Sequence, residues 1–92
     1  MRIRQDISMG NNIRNLRKKY KLTQEQVAAK LQIRGCDITR SIYSRYETGQ
    51  LNIQVSVLIA LKDIFKCEYA DFFENLELKF EELIKAQELT EL

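Results

Sequence analysis

The 92-residue sequence contains no proline and no histidine, only three glycines and only two cysteines. Each shortage removes a class of structure or chemistry. Without proline, and with little glycine, few signals break a helix, so uninterrupted helical patterns are expected and a turn-rich sandwich is not. Without histidine the chain lacks the commonest metal ligand and general base. It also has no glycine-rich phosphate loop, no metal-spaced cluster, and no serine or cysteine beside a plausible base. The expectation is therefore no enzyme, no metal and no cofactor. Glu81 and Glu82 form an acidic pair, but adjacent residues of a helix do not face each other. Cys36 and Cys67 read as two reduced thiols, at least one in the core, and not as a disulfide. Long apolar runs are missing too. The longest, Val57 to Leu61, has five residues, too few for a transmembrane helix or a secretory signal core. A cytoplasmic protein with no membrane partner is expected.

What is present is ordinary in bulk and uneven in detail. Apolar residues make up 45% and charged residues 30%, as in a globular protein with a single core. The net charge of +2 hides an asymmetry. Residues 1–50 hold eleven lysines and arginines against four acids, a net +7, while residues 51–92 hold four lysines against nine acids, a net −5. A basic half beside an acidic half points to a polyanion held on one side only. The competing reading is chance clustering on a small surface.

Residues 1–7 form an N-terminal arm, either a frayed end or a segment whose Arg2 and Arg4 reach a minor groove. The domain proper is expected over 8–73. Ser8 caps a first helix running to about Tyr20, with Met9, Ile13, Leu16 and Tyr20 on its apolar stripe and Arg14, Lys18, Lys19 and Lys21 outside. A second helix opens with a capping box, Thr23 with Gln26, and a staple, Leu22 with Val27. It buries Val27, Ala28 and Leu31 and ends near Gly35. Gln24 in its first turn suits a phosphate oxygen, or is simply a good helix former at an exposed position. Residues 53–66 make a fourth helix with Ile53, Val57, Leu58, Leu61, Ile64 and Phe65 at helical spacing. A short fifth, about Tyr69 to Phe73, adds Tyr69, Phe72 and Phe73. Residues 74–92 read as an acidic, leucine-rich helical tail. Leu76, Phe80, Leu83 and Ile84 lie on one side of it, with Leu78, Leu89 and Leu92 nearly opposite, which makes it a candidate dimerisation element.

The stretch between the second and fourth helices is the informative one. Over Asp37–Gly49, Thr39 can cap a helix start and Gly49 can end it in a left-handed conformation. At about 100° per residue, Ile38, Ile42, Tyr43 and Tyr46 share one side, and Arg40, Ser41, Ser44 and Arg45 the other. Such a helix is either an ordinary amphipathic surface helix or a reading head for DNA.

Three blocks in order carry a resemblance. They are Asn12-Ile13-Arg14-x-Leu16-Arg17, then Leu22 through Leu31 (Leu-Thr-Gln-Glu-Gln-Val-Ala-Ala-Lys-Leu), then Ile38-Thr39-Arg40-Ser41-x-x-Ser44-Arg45-Tyr46-Glu47-x-Gly49. With the apolar fourth helix and Asp71-Phe72-Phe73, they resemble the Cro/repressor-like (XRE-type) helix-turn-helix family over roughly residues 9–73. The resemblance implies an all-α, lambda-repressor-like bundle of about five short helices, to which the tail adds a C-terminal helix. It implies a DNA-binding transcriptional regulator, a repressor, whose third helix enters the major groove. The family's base-reading positions fall on Arg40, Ser41 and Arg45, with Ser44 beside them. Its phosphate-binding glutamine falls on Gln24, and its structural ion pair on Arg17 and Glu47.

Thr39, Thr48, Gln50 and Asn52, at and beyond the ends of the third helix, complete the expected phosphate contacts. The chain departs from the family between Leu31 and Ile38, where Gln32–Asp37 replaces a tight glycine turn and is about five residues longer. The second helix is expected to run one turn further before Gly35 breaks it, bringing Arg34 near the DNA face. Because one recognition helix reads few base pairs, a homodimer on a palindromic double-stranded operator is expected. The alternative on the same fold is an antitoxin-like or adaptor module that binds a protein partner through 74–92.

Overall fold

The computed structural model describes residues 8–76, and the expectations for 1–7 and for 77–92, the added C-terminal helix among them, lie outside the described residues. Five α-helices follow one another: α1 (Gly10–Lys19), α2 (Gln24–Ile33), α3 (Arg40–Thr48), α4 (Val55–Phe65) and α5 (Tyr69–Phe72), with no strand among the described residues. Two of the starts are capped by the expected side chains. Thr23 Oγ1 accepts from the Gln26 amide at 3.1 Å, and Gln26 Oε1 returns the bond by accepting from the Thr23 amide at 2.8 Å. Thr39 Oγ1 accepts from the Ile42 amide at 3.3 Å. Such caps satisfy donors that a helix start leaves orphaned. Ser8 acts differently from expectation. Met9 holds the cap position of α1, and the Ser8 hydroxyl accepts from the Gly10 amide at 3.0 Å instead.

One device ends α1, α2, α3 and α4. A residue at positive φ turns the chain, its own amide bonds back to a carbonyl three residues earlier, and the next amide bonds to a carbonyl five residues earlier. At the end of α2 the turning residue is Gly35 (φ 84°), with Gly35 N–H to Gln32 O at 3.0 Å and Cys36 N–H to Leu31 O at 2.9 Å. At the end of α3 it is Gly49 (φ 80°), with Gln50 N–H to Arg45 O at 2.9 Å. Lysines do the same work at the ends of α1 and α4, Lys21 at φ 55° and Lys66 at φ 49°. A left-handed lysine carries a steric cost of about 1–2 kcal/mol that glycine avoids, so tertiary packing must hold both turns.

The helices close around one core. α3 lies against both α1 and α2, α4 packs on α2, and α5 packs on α1. Ile13, Val27, Leu31, Ile38, Tyr43, Tyr46, Val57, Leu61, Ile64, Phe65 and Phe72 form the buried cluster. Three expected core aromatics are not in it: Tyr20, Tyr69 and Phe73 are exposed. α5 is a single turn, so only its last residue, Phe72, points inward, and Tyr20 lies just past the end of α1. Ile53 and Leu58 are half-buried rather than fully buried. Cys36 and Cys67 are both free thiols, and both pack against the core from its edge. The Asn12 side chain ties α1 to the far end of the fold by donating to Phe72 O at 2.9 Å and Glu74 O at 2.8 Å.

Gly10 sets how closely α1 meets the end of α3. It is buried, and a Cβ there would overlap the Glu47 carbonyl group and lie 2.8 Å from the Tyr46 carbonyl oxygen. The backbone of α1 therefore rests directly on that of α3.

Candidate nucleic-acid interface

α3 buries Tyr43 and Tyr46, half-buries Ile42, and leaves Arg40, Ser41, Arg45 and Thr48 exposed, with Ser44 half-buried. Three of the four expected base-reading side chains thus share an open face, and Ser44 sits at its edge. None of Arg40, Ser41, Ser44 and Arg45 makes a side-chain hydrogen bond to another described residue. The face is free to meet a ligand. Thr39 uses its oxygen as a cap acceptor, so its hydroxyl hydrogen remains to donate. Thr48 Oγ1 donates to Arg45 O at 3.2 Å. Gln50 and Asn52 follow on the exposed surface.

Beneath this face lies a charged cluster centred on Glu47, whose side chain is wholly inaccessible. Arg17 grips it with two bonds, Nε to Oε2 at 2.7 Å and Nη2 to Oε1 at 3.1 Å, and uses Nη1 to bond Leu22 O at 3.0 Å. Gln24 Nε2 donates to the same Oε1 at 3.2 Å, and Arg14 Nε does so at 3.4 Å. Glu47 thus joins α1, α2 and α3 at one point. Burial alone pushes the Glu47 carboxyl up, but bonds from Arg17 and then from its other neighbours outweigh this and hold it below the usual carboxylate range. The bond to Glu47 likewise raises Arg17. The Tyr43 hydroxyl is buried close to the cluster but has no partner in good hydrogen-bond geometry, and so is a neighbour and not a ligand of the carboxylate. Burial drives its phenol well above the ordinary value.

The cluster also sets where Gln24 points. Its Nε2 carries two hydrogens; Glu47 takes one, and the other bonds to no described residue. Gln24 and Arg40 line a shallow hollow of about 520 Å³ with Arg17, Leu22, Thr23 and Glu25, so the start of α2 and the start of α3 open on the same surface. Arg34 does not join them. It lies at the other end of α2, where Nε binds Asp63 of α4 at 2.7 Å and Nη1 binds the Lys30 carbonyl at 3.1 Å. The long link does lengthen α2 as expected. Its Schellman turn at Gly35 sends Arg34 toward α4, and Gln32 Nε2 holds the strand of link by donating to Ile38 O at 3.1 Å. Sequence reading missed the place of Arg14 in the cluster. Its spacing of three from Arg17 puts both on one side of α1, and that was the available signal.

A family model described as helix-turn-helix matches residues 13–72, well over half of the chain. The chain belongs to the helix-turn-helix family. Within this XRE-type, Cro/repressor-like family, α2 and α3 are the helix pair, and the matched segment runs from α1 into α5. No curated protein and no solved structure matches the chain. This helix-turn-helix protein is thus a DNA-binding regulator in general terms. Among its described residues no helix is long and apolar enough to cross a membrane.

Proposed function

We propose that the protein is a sequence-specific transcriptional repressor that reads the major groove of double-stranded DNA with α3. The observation that carries this reading is the capped helix Arg40–Thr48, anchored by Tyr43 and Tyr46 and presenting Arg40, Ser41, Ser44 and Arg45 to solvent. An α-helix fits the major groove, and an arginine can donate two bonds to the O6 and N7 of one guanine. Gln24, Thr39, Thr48, Gln50 and Asn52 are the phosphate contacts in this reading. Arg34, bonded to Asp63 and Lys30, stays outside the interface. The repressor binds a palindromic operator as a homodimer, since one short helix covers too few base pairs for a specific site. The exposed Tyr69 and Phe73 of the α5 region, and Val55 and Ile59 of α4, favour an interface on that side, with the 74–92 tail contributing.

Selection of bound duplexes from a random pool tests the reading directly. A palindrome with fixed half-site spacing is expected, and recovery of no enriched sequence would overturn it in favour of an adaptor. Arg40→Ala should weaken the selected duplex by roughly 1–3 kcal/mol more than it weakens random duplex.

A further inference from the structure

We propose that Arg14 of α1 is a DNA-phosphate contact, held beside the reading face by Glu47 without being consumed by it. The inference rests on the DNA-binding reading above. Its basis is the surplus of donors around one carboxylate. A carboxylate offers about two lone-pair sites per oxygen. Oε1 of Glu47 faces three donors: Arg17 Nη2 at 3.1 Å, Gln24 Nε2 at 3.2 Å and Arg14 Nε at 3.4 Å. The most distant of the three is Arg14. Charge gives the same answer, because Arg17 alone neutralises Glu47 and a second guanidinium leaves the cluster with a net positive charge.

The two arginines differ in exposure as well. The Arg17 side chain is 13% exposed and fully engaged, while that of Arg14 is 39% exposed and bonds to described residues through Nε only. Both terminal amino groups of Arg14 are therefore open toward solvent, the fork that grips a phosphate bidentately. Position puts that fork at the right surface. Glu47 and Arg40 are seven residues apart on α3, nearly two whole turns, so they share an azimuth about 10 Å apart along the axis. Arg17 and Gln24, which share Glu47 with Arg14, line the hollow that Arg40 also lines, and this ties the Arg14 end of the cluster to the Arg40 edge of the face. Glu47 acts here as a tether, so that Arg14 arrives at the backbone of the duplex already ordered.

The test measures binding of the full chain to a labelled random-sequence 20-base-pair duplex across a salt series, together with thermal unfolding. The variants are Arg14→Gln, Arg14→Lys, and Lys62→Gln, which removes the same charge from α4. A phosphate contact contributes about 0.9 to the slope of log affinity against log salt. Arg14→Gln is expected to lower the slope by about that amount, to weaken binding to this duplex, and to leave the melting temperature nearly unchanged. Arg14→Lys should keep the wild-type slope, and so should Lys62→Gln. A wild-type slope in Arg14→Gln overturns the proposal and leaves Arg14 as a structural ligand of Glu47; a fall equal to that of Lys62→Gln overturns it as mere net charge. If the wild-type chain binds no duplex at all, the DNA-binding reading itself fails.

Discussion

Two ion pairs in this protein have the same length and opposite meaning. Arg17–Glu47 and Arg34–Asp63 both close at 2.7 Å. The first is sunk between α1, α2 and α3, with the carboxylate wholly inaccessible and the arginine 13% exposed. The second lies across α2 and α4 in water, with Arg34 34% and Asp63 70% exposed. Distance does not rank them; solvent does. In water the attraction is screened and offset by side-chain entropy, so such a pair contributes about 0–1 kcal/mol. In the interior the charges have surrendered hydration, and each depends on its partner. The buried pair is therefore a joint of the fold, and the exposed pair chiefly ties Arg34 to α4.

Breaking the buried pair should have the largest effect. Glu47→Ala strands Arg17 and is expected to destabilise the fold by roughly 3–5 kcal/mol in chemical denaturation, with Arg17→Met similar. The double variant Arg17→Met/Glu47→Leu should be nearer to wild type than either single change, because no unpaired charge remains buried. Gly10→Ala comes next. Its methyl would press on the Glu47 and Tyr46 carbonyls, which belong to backbone and cannot swing aside. A loss of about 1–3 kcal/mol is expected, as for overpacking elsewhere, and a neutral result would show that α1 can slide on α3.

Acid should report on the buried pair in a single titration. The Glu47 carboxyl is held below its ordinary value of 4.5 in the folded chain, so on acidification the unfolded chain takes up this proton first. The stability it contributes is full above that value and is lost as the pH falls further, until the folded carboxyl protonates too. Unfolding free energy measured across the acid range should fall with a component absent from the double variant. The smallest effect is expected from the exposed pair: Asp63→Ala should change stability by under about 1 kcal/mol. A larger loss would mean that the Arg34 bridge, and with it the turn at Gly35, supports the angle between α2 and α3.

Much of the bundle was legible in the sequence where the signal is local. The Thr23–Gln26 box, the Thr39 cap and the stops at Gly35 and Gly49 each depend on a few adjacent residues, and each lies where the sequence placed it. The ends of α1 and α4 were less legible, because lysine rather than glycine takes the left-handed turn at Lys21 and Lys66. Lysine is not a stop signal; packing imposes that conformation. The expected site was legible as a pattern of exposed residues on α3. The direction of Arg34 was not legible, because it depends on Asp63, 29 residues away.

The sequence by itself determined five short helices, the side that α3 buries and the side it shows, since helical periodicity and capping act within a few residues. The tertiary structure decided what those helices share. It placed Arg14, Arg17 and Gln24 on one carboxylate, pressed the Gly10 backbone onto α3, and turned Arg34 to α4. These contacts join residues far apart in the chain, and only the packing of α1, α2 and α4 around α3 sets which donor reaches which acceptor.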